Sequence, residues 1–266
     1  MKVIITGSNS FLGRSLCNYL KPKIKKLVCL SRKKGNFEMQ TCSFKNINKL
    51  KNFNALIHLA HDYSKESILI NLNFIKKMKK ICNENNINNI IYISSMAAHK
   101  RAISKYGITK YTIEKFCLKN NITIIRPAFI FGGGEKNLRL TNIKNILSLF
   151  PIVPIFYCKD NFIYSVKINE LVKKIFYVMT KKRSSKKIIY NIFADKRIYF
   201  YDIVKFLFKE KKKTIFVPYT IFYLACIFLN KIIYIKSLDS LLGFLSTKKN
   251  NVKMEINLLT KSSINS

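Results

Sequence analysis

The 266-residue sequence predicts an α/β protein: a parallel, doubly wound sheet followed by a smaller C-terminal lobe. Two observations carry that prediction. Short β-branched runs without polar interruption alternate with longer helical segments through the first half of the chain, and a parallel sheet covered on both faces is the architecture that needs such runs. After Arg126-Pro127 the texture changes. Gly132, Gly133 and Gly134 open a loop, Pro151 and Pro154 interrupt the next stretch, and short strands then mix with helices. The chain therefore divides into a first unit over residues 1–134 and a smaller mixed α/β unit over residues 135–266, interleaved with the first rather than independent of it.

Taken in order, strands are expected at Val3–Ile5, Lys26–Leu30, Ala55–Leu59, Ile90–Ser94 and Ile122–Arg126. Helices are expected near Phe11–Leu20, Ile68–Asn85 and Tyr106–Asn120. The second of these repeats its apolar residues at Ile70, Leu72, Phe74, Ile75, Met78 and Ile81, the spacing of a helix with one buried face. In the second half, Phe162–Val166 and Ile188–Ile192 read as strands. Ile168–Met179, Tyr201–Lys209 and Thr220–Leu229 read as helices.

Lys and Arg number 49 against 13 Asp and Glu, a formal net charge of +36. Lys, Asn and Ile are inflated together, as in a chain from an AT-rich genome, and the lysines are scattered. Runs such as Lys76-Lys77 and Lys211-Lys212-Lys213 flank apolar stripes and read as solvated helix faces rather than a nucleic-acid footprint. The positive surface favours anionic small molecules. The seven cysteines (Cys17, Cys29, Cys42, Cys82, Cys117, Cys158, Cys226) form no C-x-x-C pair and no cluster with histidine. They predict packed free thiols, no disulfide framework and no metal site. The sequence opens directly on a strand, so no signal peptide is expected and the expected location is cytoplasmic. Ile215–Leu229 is interrupted by Pro218 and is too short for a membrane span. The longer stretch Ile215–Ile235, with Lys231 and Lys236, reads as core or as a helix shared in a homodimer, with contact at a membrane interface as the less favoured reading.

Val3-Ile4-Ile5-Thr6-Gly7-Ser8-Asn9-Ser10-Phe11-Leu12-Gly13-Arg14 is a buried strand, a tight turn and a helix start. A left-handed turn favours glycine, the backbone must come close to a pyrophosphate, and the first N–H groups of the helix, with its positive dipole end, face that anion. The context makes this a Rossmann-like dinucleotide turn. The next strand ends in Ser31-Arg32-Lys33-Lys34. No carboxylate lies between Lys26 and Lys34 to hold a ribose 2′-hydroxyl, whereas Arg32 suits a 2′-phosphate, so Ser31 and Arg32 favour NADP(H) over NAD(H).

Ile90–Ile93 is followed by Ser94 and Ser95 at the carboxyl edge of its strand, where open α/β sheets gather ligands. Eleven residues on, Tyr106-Gly107-Ile108-Thr109-Lys110 sets a phenol and an ammonium one helical turn apart on one face. The ammonium stabilises a phenolate and draws the tyrosine toward the working pH range.

The succession of glycine turn, strand ending Ser-Ser, Tyr-x-x-x-Lys helix and Ile-Ile-Arg-Pro strand resembles the short-chain dehydrogenase/reductase family, especially its extended, nucleotide-sugar branch of epimerase/dehydratase type. Thr6, Gly7 and Gly13 match the Thr-Gly-x-x-Gly-x-x-Gly fingerprint, with Ser10 in place of the middle glycine. The resemblance implies that Tyr106 is the general acid/base, that Lys110 holds the nicotinamide ribose and tunes Tyr106, and that Ser95 hydrogen-bonds the reacting oxygen. It implies that Thr6, Gly7, Ser10, Phe11, Leu12 and Gly13 cradle the cofactor, with Leu59, Ala60 and Ser94 beside it. It further implies that Arg126 and Asn137 belong to segments enclosing a nucleotide sugar, and that the C-terminal unit is a substrate-binding lobe. His58 reads as a packed strand residue, His61 and His99 as loop residues without a partner pattern, and Asn71 as structural.

The function that the resemblance implies is an NAD(P)-dependent 4-ketoreductase or 4-epimerase of a UDP-type sugar in surface-polysaccharide synthesis. A dehydratase of this kind commonly has Thr-Asp-Glu where this chain has Ser95-Met96-Ala97, which leaves no carboxylate pair for elimination. The alternative from another class is a non-catalytic Rossmann protein that senses a dinucleotide or binds an anionic surface.

Overall fold

The computed structural model describes residues 1–30, 41–42, 52–64, 66–132, 138–156, 162–181, 189–209, 211–232, 236–245 and 255–257. In chain order the elements are β1 (Lys2–Thr6), α1 (Phe11–Leu20), β2 (Lys26–Leu30), β3 (Thr41–Cys42), β4 (Ala55–His58), α2 (Ser67–Glu84), β5 (Asn89–Ile93), α3 (Lys105–Lys119), β6 (Thr123–Pro127) and β7 (Phe129–Phe131). They continue with α4 (Leu138–Ser148), β8 (Val153–Ile155), β9 (Phe162–Lys167), α5 (Ile168–Thr180), β10 (Ile189–Ile192), β11 (Ala194–Tyr199), α6 (Phe200–Phe208), β12 (Thr214–Phe216), α7 (Tyr219–Ile232), α8 (Lys236–Leu245) and β13 (Glu255–Asn257).

Eight strands form one sheet in the order β13-β10-β6-β5-β4-β1-β2-β3, every neighbouring pair parallel. This is a Rossmann-like doubly wound sheet. The alternation of side chains along each strand explains why its strands read as unbroken apolar runs. Val3, Ile5, Ile57, Ile91 and Ile93 point to one face, where they pack with Leu12, Leu16 and Leu20 of α1 and Leu171 and Ile175 of α5. Ile4, Val28, Leu56, Ile90, Tyr92 and Ile124 point to the other, against Ile75, Met78 and Cys82 of α2 and Ile113 and Cys117 of α3. Neither face is left for solvent. In α2 the buried stripe runs Asn71, Ile75, Met78, Cys82, so Ile70, which the apolar spacing placed on the core face, is exposed.

The second half of the chain feeds this sheet as well as building its own lobe: β10 and β13 extend it beyond β6, and α5 covers one face. A third core joins α4, β8, α6, α7 and α8 around Phe156, whose ring stacks on Phe200 at 4.6 Å. Strands β11, β9 and β7 make a small separate sheet, and β12 pairs with β8. Cys17, Cys29, Cys82, Cys117 and Cys226 are buried free thiols. Among the described residues, no helix is long and apolar enough to cross a membrane.

Candidate active site

Parallel order places the ends of β1, β4 and β5 side by side at one sheet edge, and each delivers a predicted segment there. After β1, Gly7 turns at φ +74°. A Cβ at Gly7 would stand 2.6 Å from the backbone nitrogen of Ala60, so this turn is closed to any side chain by the Leu59–Ala60 segment after β4. A Cβ at Gly13 would run into the carbonyl oxygen of Gly7, so α1 can lie this close to β1 only with glycine there. Ser10, which replaces a glycine of the fingerprint, is the N-cap of α1: its Oγ accepts from the Gly13 N–H at 3.0 Å. That leaves the N–H groups of Phe11 and Leu12 without an acceptor among the described residues, in a first turn that holds no acid. Two free donors, a positive helix end and two glycines closed to side chains fit a pyrophosphate.

Thr6 serves the scaffold of this turn. Its hydroxyl accepts from Ala60 N–H at 3.3 Å and shares a 2.7 Å hydrogen bond with Nδ1 of His58, directly across the β1–β4 pairing. His58 is buried, and burial, helped by the charge of Lys110, pushes its pKa down to about 3. A neutral imidazole fixed in the sheet is a packing residue, as the sequence suggested.

Helix α3 carries the predicted acid/base pair. Ser104 caps it, its Oγ accepting from Gly107 N–H at 3.1 Å. Gly107 allows the first turn to touch the segment after β5, since a Cβ there would lie 2.5 Å from the carbonyl oxygen of Ala97. Lys110 is buried. Its Nζ donates to the carbonyl oxygen of Ile93 at 2.8 Å and lies 5.6 Å from the centre of the Tyr106 ring and 4.7 Å from that of Tyr92. Burial pulls the ammonium pKa from 10.5 down to about 7, against the opposing pull of Glu114. The amine therefore lies within reach of both protonation states near neutrality. Ser94 and Ser95 follow Ile93. The Oγ of Ser94 is buried without a partner, and the Oγ of Ser95 accepts from Ala97 N–H at 3.2 Å, which leaves its hydroxyl proton to donate. The structure thus joins Tyr106, Lys110 and the end of β5.

Three further features complete the site; of these only Asn71 carries a sequence signal, as a structural residue. The rings of His61 and Tyr63, on the loop after β4, contact Tyr106: His61 edge-on at 5.0 Å and Tyr63 stacked at 6.0 Å. His61, read from sequence as a loop residue without a partner, is therefore a neighbour of the candidate acid/base. Asn71 holds that loop, its amide accepting from Asp62 N–H and donating to Asp62 O, each at 2.8 Å. The third is Asp239 of α8, whose carboxylate accepts from the N–H groups of Lys105 and Tyr106 at 2.7 and 3.2 Å.

Arg126 is buried inside the protein. Its Nε and Nη2 bind the two carboxylate oxygens of Glu114 at 2.8 and 2.6 Å, a paired fork that ties β6 to α3. Ser31, Arg32 and Asn137 lie outside the described residues.

The sequence model of the NAD dependent epimerase/dehydratase family matches residues 3–192. No curated protein matches the sequence. Solved structures of similar fold include the UDP-N-acetylglucosamine 4-epimerase from Bacillus cereus, with a TM-score of 0.62 and 20% identity over 82% of this chain and 88% of that one. A UDP-glucuronic acid 4-epimerase from Bacillus cereus in complex with NAD scores 0.65 at 18% identity, over 82% and 87%. An NAD-dependent NDP-hexosamine 5,6-dehydratase of tunicamycin biosynthesis scores 0.61 at 14% identity, over 82% and 84%. At these identities the likeness is one of fold.

Proposed function

The chain belongs to the NAD dependent epimerase/dehydratase family, and on that premise we propose that it is a nucleotide-sugar oxidoreductase, a 4-epimerase or 4-ketoreductase of a UDP-linked sugar. The observation that carries the reading is the Lys110 ammonium, buried one turn from Tyr106 and tied to the strand end that presents Ser94 and Ser95. Burial penalises the charged form of a lysine, and the nearby Glu114 is already forked to Arg126, so packing alone gives no reason for a lysine beside Tyr106. A site that must make a phenolate has one.

When bound, a nicotinamide dinucleotide would supply the hydride donor or acceptor. The N–H groups of Phe11 and Leu12, in the turn shaped by Gly7 and Gly13, would hold its pyrophosphate. Tyr106 Oη exchanges a proton with the sugar O4, and Ser95 donates a hydrogen bond to the same oxygen. Lys110 stabilises the phenolate form of Tyr106. Met96 and Ala97 are apolar and buried, so the segment after Ser95 brings no acid/base pair for elimination.

The test is the dinucleotide content of the purified protein after extensive dialysis, followed by titration with NADH and NADPH. Retained NAD supports an epimerase, which reoxidises its cofactor within each cycle. An empty site that takes up NADPH in preference to NADH supports a ketoreductase, with Arg32 at the 2′-phosphate. A protein that binds neither contradicts the enzyme reading and leaves a non-catalytic Rossmann protein.

A further inference from the structure

Helix α7 contains no charged residue from Tyr219 to Asn230. A surface helix of this kind buries one apolar stripe and shows solvent a polar one. In α7 both sides are apolar. Phe222 and Cys226 enter the core of the C-terminal lobe. Nearly opposite, Ile221, Leu224 and Phe228, spaced three and four apart on one stripe, are 59%, 63% and 65% exposed.

The apolar surface continues beyond the helix. Phe216 of β12, three residues before it, is 64% exposed, and β12 pairs in parallel with β8. Just before β8, Leu149 is 75% exposed, and Phe150 and Ile152 are also exposed. Phe150 and Leu229 line one cavity of about 100 Å³ between α4, α7 and α8, so the loop and the helix border the same hollow. Scattered exposed apolar residues need no explanation, but a contiguous patch of this extent marks a contact surface. Beside it runs Lys209, Lys211, Lys212, Lys213, with Lys212 Nζ donating to the carbonyl oxygens of Ser148 and Phe150 at 2.9 and 2.8 Å.

We infer that this face docks on an anionic lipid bilayer, with the outer stripe of α7, Phe216 and Leu149 in the acyl boundary and the lysine run at the headgroups. Charge selects that occupant. At +36 the chain is drawn to an anionic surface, whereas a second copy on the same face would bring two like-charged lysine runs together. An apolar stripe with basic residues at its border is the composition of an interfacial helix, and α7 is too short to span. The sequence favoured core or dimer over membrane for this segment. The structure divides the question by face: Phe222 is core, while Leu224 and Phe228 are free to insert.

The experiment is co-sedimentation of the full chain with vesicles of phosphatidylcholine alone and of phosphatidylcholine mixed with phosphatidylglycerol. The protein is expected to pellet with the mixed vesicles, less with the neutral ones, and less again as salt is raised. The Leu224→Asp/Phe228→Asp variant should lose at least roughly tenfold in partitioning, because two large apolar side chains no longer leave water. These residues are exposed, so its thermal unfolding should match the wild type; if it does not, Phe216→Asp replaces it in the same assay. Tyr177→Asp, on α5 away from the patch, should pellet like the wild type. Wild-type protein that stays in solution with both vesicle types, or α7 variants that pellet unchanged, would overturn the inference. So would a wild-type dimer in light scattering that the same substitutions dissociate without any vesicle binding, since the face would then join two copies.

Discussion

The carboxylate of Asp239 holds the backbone of Tyr106. Oδ2 accepts from the Tyr106 N–H at 3.2 Å while Oδ1 accepts from Lys105 at 2.7 Å, so a buried acid of the C-terminal lobe sits on the positive end of the helix that carries the acid/base pair. Asp239→Ala removes both acceptors. We expect a stability loss of about 1–2 kcal/mol in denaturant unfolding, and a fall in kcat larger than any change in KM. Asp239→Asn, which keeps one oxygen, should lie between. Unchanged kcat in both variants would reduce Asp239 to a lobe contact.

Gly107 offers a test in which two effects have opposite signs. Alanine is the better helix former by about 1 kcal/mol, yet its Cβ would lie 2.5 Å from the carbonyl oxygen of Ala97. Backbone cannot yield as a side-chain tip can, so the overlap wins. Gly107→Ala should destabilise by about 1–3 kcal/mol and displace α3 from the Ser95 segment, with a matching drop in turnover. A variant more stable than the wild type would show that α3 does not approach β5 this closely.

Lys110 predicts a pH dependence of stability. Its folded pKa is about 7 against 10.5 for the ordinary amine. Between those values the unfolded chain holds the proton and the folded chain does not, so stability rises with pH through this window by up to about 1.4 kcal/mol per pH unit. Below pH 7 both states are protonated and the full cost of the buried charge is present. Denaturant unfolding of wild type and Lys110→Met across this range should differ by that slope. Parallel curves would mean that the ammonium stays charged in the fold.

Glu114 and Arg126 should behave as one structural unit. Replacing either alone strands a buried charge, so Glu114→Gln or Arg126→Met should cost about 3–5 kcal/mol, whereas the Glu114→Leu/Arg126→Met pair should recover most of it. An Arg126→Met variant of wild-type stability with a raised KM would return this arginine to the substrate role that the resemblance implies.

The contrast between Lys110 and Asp239 shows what the sequence could carry. The helix from Lys105 to Lys119 is legible because Tyr106 and Lys110 are local neighbours and come after a strand with no polar interruption; that strand reads so because each face of the sheet is covered. Asp239 lies 133 residues from Tyr106 in sequence, and no period or motif announces a carboxylate that acts through backbone N–H groups. Ser10 is legible as a departure from the glycine fingerprint, but its Oγ turning onto Gly13 is visible only in space. The pairing of Arg126 is hidden for the same reason: its partner Glu114 sits on the neighbouring helix, and sequence order does not say which way a strand residue points. Helix α4 is absent from the sequence expectation although Leu140, Ile143 and Leu147 keep a helical spacing, because the run is short.

The most direct test of the enzyme reading is to compare wild type and Tyr106→Phe for dinucleotide affinity and for the appearance of reduced-nicotinamide absorbance on addition of UDP-sugars. We expect equal affinity for the dinucleotide, an absorbance change with at least one UDP-sugar in the wild type, and none in the variant, because the lost hydroxyl is the group that moves the proton. Equal absorbance changes in the two proteins would contradict that role for Tyr106.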